Sequence, residues 1–175
     1  MIASIVSVIT LIFTLSSFYW LFARRGKLVS YEPQTYAASI TRFNEELGLL
    51  ICMPLVLEAT GARSIVILDL RITFPNDPKL EKPLVWVTSR PRLQPLAGDQ
   101  PTLPAVFPIP SRQAVQYFIE FGGPFPEFHE DKRDFHVQIE AKVGHDKKWH
   151  RLNDFPLRIG RVQGNQYLTY TNEPL

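Results

Sequence analysis

A single cysteine, Cys52, leaves no possibility of an internal disulfide, so this chain of 175 residues is held together by packing and hydrogen bonding alone. The lone thiol fits a reducing compartment. It also removes the Cys-rich ligand sets that structural zinc sites use. Signatures of nucleotide and hydrolase chemistry are missing as well: there is no glycine-rich phosphate loop, Walker sequence, G-x-S-x-G elbow or H-E-x-x-H pair. Charge of one sign is not in excess either. Three of the nineteen basic residues are Arg24, Arg25 and Lys27, and the remainder of the chain carries sixteen basic against seventeen acidic residues, so nothing marks a nucleic-acid-binding surface. Histidine is scarce, with four in all. His145, Asp146 and His150 lie close together, and His129 precedes Glu130 and Asp131, but neither spacing matches a compact ligand signature. His136 falls on the polar side of a strand pattern, and Cys52 sits in an apolar run as an inert, buried thiol. The expectation is therefore no catalytic residue, no cofactor and no metal site.

What the chain does have is a run of 21 uncharged residues, Ile2 to Phe22, followed closely by Arg24, Arg25 and Lys27. As a helix rising ~1.5 Å per residue it covers roughly 31 Å, the thickness of a bilayer's hydrocarbon core. A cleavable secretory signal carries basic residues ahead of a shorter apolar run and small residues at its end. Here the run closes on Phe18, Tyr19, Trp20, Leu21 and Phe22, which is the wrong ending for cleavage. Tyr19 and Trp20 instead suit the headgroup level of a membrane, and the basic cluster beyond them puts the N-terminus outside and the C-terminal domain in the cytoplasm. The same cluster, Arg24, Arg25 and Lys27, suits anionic lipid headgroups.

The helix has a face. At 100° per residue Ala3, Ser7, Thr10, Thr14, Ser17 and Leu21 fall within an arc of about 80°. All but the last are small, which is the composition of a seam along which helix backbones approach closely in lipid. The alternative is that the hydroxyls bond back to their own helix's carbonyls.

Beyond residues 1–23 no helical period recurs. Residues 24–33 form a short basic connector, and a β domain is expected over 34–160. Thr35 to Phe43 reads as an edge strand, and Leu49, Ile51, Met53, Leu55 and Leu57 alternate along the next. A turn at Ala59 to Ala62, with a glycine free to take positive φ, leads to Val66, Leu68, Leu70, Ile72 and Phe74, alternating against Ile65, Ile67, Asp69, Arg71 and Thr73; the two runs are expected to pair as a hairpin. Asp69 and Arg71 fall on the solvated face. Nine of the fifteen prolines lie in Pro75 to Pro110, which predicts loops and short edge strands, among them Leu84 to Ser89 with Trp86 turned inward, and a loop over residues 90–104 of the kind that docks partners. Further strands run through Val115 to Phe121, Phe135 to Val143, and Trp149 to Ile159. Seven to nine short strands predict an antiparallel β-sandwich of immunoglobulin or fibronectin shape. The last stretch, residues 161–175, is polar with Tyr167 and Tyr170; it reads either as an extended tail that docks along a neighbour or as a frayed end.

The function these features suggest is that of a non-catalytic accessory subunit. Its helix would pack against the subunits of an integral membrane complex, such as a photosynthetic or respiratory assembly, and its sandwich would brace that complex. The alternative is a membrane-tethered binding module for a peptide or soluble protein.

Overall fold

The structure, a computed structural model, describes residues 2–24, 26–43, 46–94, 96, 98–125, 134–144, 146–162 and 166–172. It is mainly β, with one N-terminal apolar helix. Helix α1 (Ile2–Phe18) widens at its end into a π-helical turn, Tyr19–Ala23, closed by the Arg24 N–H donating to the Tyr19 carbonyl at 2.9 Å. Ten strands follow among the described residues: β1 (Leu28–Ser30), β2 (Thr35–Phe43), β3 (Glu46–Ala59), β4 (Ile65–Thr73), β5 (Leu84–Arg90), β6 (Phe107–Ile109), β7 (Ala114–Pro124), β8 (Phe135–Val143), β9 (Asp146–Leu157) and β10 (Leu168–Thr171).

All pairings are antiparallel and belong to one sheet, ordered β10-β2-β3-β7-β5-β4-β8-β9, with β1 beside β3 and β6 beside β4. This sheet curls into a half-barrel instead of splitting into two packed layers, so the expected sandwich is present only in part. Its concave face holds the core: Leu49, Ile51, Met53, Leu55 and Leu57 from β3, Ile119 and Phe121 from β7, Val137, Ile139 and Ala141 from β8, and Phe155 from β9, all essentially buried. Each such side chain contributes ~1.5–3 kcal/mol by leaving water.

The expected β3–β4 hairpin does not form. Both sides of β3 are taken, by β1 and β2 on one and by β7 on the other, while β4 pairs with β5, β6 and β8. The turn between them carries the chain from one half of the curled sheet to the other. Alternation states which face of a strand is buried but not which strand lies beside it.

The inward face of β4 also differs from the simple alternation. A bulge between Ile67 and Asp69 shifts the register against β8, so Ile67, not Val66 or Leu68, is buried ahead of Leu70 and Ile72. Strand β7 continues past Phe121, where it was expected to end, through Gly122 and Gly123 to Pro124. A Cβ on Gly123 would come within 3.3 Å of the Leu84 side chain, a tight contact. Pro54 is tolerated inside the long β3 because it falls opposite the interruption between β1, which pairs as far as Leu57, and β2, which begins pairing at Cys52.

The curl brings the β2/β10 edge to the end of β9, and side chains close the gap. The Tyr36 hydroxyl donates to the Arg158 carbonyl, the Asn172 amide donates to the Pro156 carbonyl at 2.9 Å, and the Arg158 N–H donates to Asn172 Oδ1 at 3.2 Å. The C-terminal segment is thus a strand of its own sheet.

Candidate functional site

Helix α1 is exposed along its length, from Ile5 to Phe22, and the span Ser4–Ala23 is long and apolar enough to cross a membrane. The expected packing face lies on it. Thr10 Oγ1 donates to the Val6 carbonyl at 2.9 Å and Thr14 Oγ1 to the Thr10 carbonyl at 2.8 Å, so these two hydroxyls are satisfied within their own helix. What the seam offers a neighbour is therefore close approach more than hydroxyl donors. Leu21 falls in the π turn that follows the helix.

The connector after the helix is clamped to the β domain. In the described residues, the Ala62 N–H donates to the Arg24 carbonyl at 3.0 Å, the Thr60 N–H to the Lys27 carbonyl at 3.1 Å, and the Lys27 N–H to Thr60 Oγ1 at 3.0 Å. Gly26 lies so close to Gly61 that a Cβ on it would sit 1.9 Å from the Gly61 nitrogen. Gly61 therefore serves close approach and does not use the positive φ open to it. From the β6–β7 turn, Arg112 Nη2 donates to the Trp20 and Leu21 carbonyls at 2.8 and 3.0 Å, supplying the partners that a helix C-terminus lacks and a cation that its dipole favours. The Arg24 guanidinium stacks over Trp20 at 4.0 Å. These contacts form a collar around the end of the helix. Tyr19, Trp20, Arg24 and Lys27 are all exposed in it, and Arg25 lies outside the described residues.

A second constellation sits on the convex face of the sheet. Glu120 is 2% exposed and accepts hydrogen bonds from Thr88 Oγ1 at 2.6 Å, from Arg90 Nε and Nη2 at 2.9 Å each, and from the Tyr167 hydroxyl at 2.9 Å. Cys52 lies beside it as its register partner. Burial, then the neighbouring Glu120 charge, pushes the Cys52 thiol up to about 12, and Tyr167 is raised above the ordinary phenol range, foremost by burial. Both groups are held protonated, and the Tyr167 hydroxyl and the Arg90 and Thr88 side chains satisfy the buried carboxylate. The effect is to fasten the C-terminal segment: Tyr167 is tied to Glu120, and Tyr170 stacks on Tyr36 at 5.5 Å.

Elsewhere, Arg71 pairs with Glu140 at 2.6 Å and stacks on Trp149 at 4.1 Å, a cross-strand contact on the half-exposed face. His136 lies 3.3 Å from Asp154 and His150 3.1 Å from Asp146; His129, Glu130, Asp131 and His145 lie outside the described residues. No group of three or more potential ligands occurs among the described residues. An open cleft of about 640 Å³ lies at the far end of β3, lined by Glu46, Leu47, the residues 78–82 and Pro124. Sequence reasoning missed Arg112, Glu120 and Arg90. Glu120 falls with Gln116 on the more polar side of β7, where a carboxylate reads as solvated, and Arg112 falls in a turn, so neither position carries a signal.

Comparison with protein-family models, with curated proteins and with solved structures gives no match.

Proposed function

We propose that this protein is a non-catalytic, single-pass membrane subunit. Helix α1 crosses the bilayer and packs by its small-residue face against helices of an integral membrane complex, while the β domain braces that complex from the cytoplasmic side. The observation that carries this reading is the pairing of a wholly exposed apolar helix with a clamped junction. An apolar surface of that extent needs lipid or protein to cover it. The collar supports bracing over loose tethering, since a domain fixed to its anchor transmits its orientation to whatever the anchor binds. The basic residues Arg24, Arg25 and Lys27 support the cytoplasmic orientation.

The test is purification of the full chain in gentle detergent. Co-purification with a stable multi-subunit assembly, weakened by Ser7→Leu, Thr10→Leu and Thr14→Leu together, is the expected result. A single monodisperse species indifferent to those changes would count against the proposal.

One observation favours a second reading, a membrane-tethered binding module. Leu96, Leu103 and Val106, on and just after the proline-rich loop, are 59, 76 and 60% exposed. Because α1 contributes nothing to the hydrophobic core, a fragment 27–175 that keeps β1, whose Leu28 packs against that core, can be tried alone for capture of a soluble ligand.

A further inference from the structure

We propose that the cleft at the collar binds the phosphate of an anionic phospholipid headgroup. The cleft has a volume of about 260 Å³ and is lined by Trp20, Leu21, Arg24, Thr60, Ala62 and Arg112. It rests on the reading of α1 as membrane-spanning, which puts Trp20 and Arg24 at the depth of the lipid phosphates.

Three features of the cleft fit a phosphate. Its lining includes two arginines and no carboxylate. Those arginines have donors to spare: Arg112 spends only Nη2 on the helix carbonyls, and the Arg24 guanidinium has an aromatic ring beneath it and no hydrogen-bond or ion-pair partner among the described residues. Guanidinium groups with free, forked donors are the side chains best matched to phosphate oxygens. Finally, Arg112 adopts φ +55°, the one non-glycine residue with positive φ among those described, and that backbone aims its side chain at the helix end from a turn where no glycine relieves the strain. A cap for the helix carbonyls alone leaves the open cleft between the two arginines unexplained.

The Trp20 ring forms part of the same wall. It offers an apolar surface to the glycerol end of a lipid while the two cations face its phosphate, so a headgroup still attached to its lipid fits better than free phosphate. A lipid held there would glue the collar, joining the helix end to the β3–β4 and β6–β7 turns through one anion.

The experiment uses the full chain in nanodiscs of phosphatidylcholine with a minor fraction of phosphatidylglycerol, released into native mass spectrometry. Wild type is expected to retain one phosphatidylglycerol in preference to phosphatidylcholine. Arg24→Gln, which breaks no hydrogen bond of the fold, and Arg112→Gln should each lower that retention on the order of tenfold, as loss of charge-assisted bonds to phosphate implies. Arg92→Gln, remote from the cleft, should leave it unchanged. Equal retention by wild type and Arg24→Gln would overturn the proposal. So would protection of the site by inorganic phosphate in neutral detergent with no phosphatidylglycerol retained from nanodiscs, which would make it a free-phosphate site. Failure of the membrane reading itself shows separately, as release of the chain from membranes by alkaline carbonate.

Discussion

The two flanks of the β domain, the connector after α1 and the C-terminal segment, both look like loose ends in the sequence, and both are tied down, by opposite means. At the collar, backbone meets backbone in partly exposed surroundings: Gly26 against Gly61, Ala62 to Arg24, Thr60 to Lys27. At the tail, a buried carboxylate gathers Thr88, Arg90 and Tyr167 around itself. The collar depends on shape and on the absence of side chains; the tail latch depends on charge and on protons. Each should therefore break under conditions that leave the other standing.

The largest effect is expected at the latch. Arg90→Met strands the buried Glu120 carboxylate without its cation and should cost about 3–5 kcal/mol, read by urea unfolding of the full chain in mild detergent. Protease sensitivity near Tyr167 should rise with it while the collar stays protected. Gly26→Val, where the new side chain has only backbone to displace, should cost about 1–3 kcal/mol and expose the connector to proteolysis without loosening the tail.

Alkaline pH separates the two regions without mutation. Cys52 titrates near 9.0 when free and is raised to about 12 in the fold, so between those values the unfolded chain has lost a proton that the native one keeps. Stability from this group is complete below about pH 9 and falls as pH rises toward 12. Tyr167, likewise raised, acts in the same direction. Tail release, followed by a Tyr167 environment probe, should precede any change at the collar, whose contacts use backbone groups and arginines. Tyr167→Phe should cost ~1 kcal/mol, one hydrogen bond to a charged group offset by easier burial of the ring. Smallest of all, Arg71→Ala, which removes a half-exposed cross-strand pair, should shift the midpoint by at most ~1 kcal/mol.

The helix and the strands from β2 to β9 were largely legible from periodicity, because each buries a face at its own repeat. Trp86, Val137 and Phe155 sit inside as their positions imply. Neighbour relations were not legible. The same alternation in β3 and β4 is consistent with a hairpin or with two separate sets of partners, and only the packing of the whole sheet decides. The bulge at Leu68 was hidden for a related reason, since an extra residue in one strand shows only against its partner. The collar and the latch were missed because they join residues far apart in sequence, Trp20 with Arg112 and Glu120 with Tyr167, through groups ordinary at each position. Of the residues singled out in advance, Tyr167 and Tyr170 lie against the chain's own sheet, on Glu120 and Tyr36.

The account stands most directly on the claim that the β domain is clamped against the bilayer with its β3–β4 turn at the headgroups. Cys52 is fully buried, so single new cysteines can be spin-labelled selectively in the full chain. Ser64→Cys lies at that turn, and Asn76→Cys lies past the other end of β4, whose nine residues put ~30 Å of strand between them at ~3.3 Å per residue. In liposomes, comparison of collision rates with oxygen and with a water-soluble nickel chelate should place the Ser64 label at headgroup depth and the Asn76 label in bulk water. Equal, fully aqueous accessibility at both positions would contradict the clamp and leave a domain swinging free on its anchor.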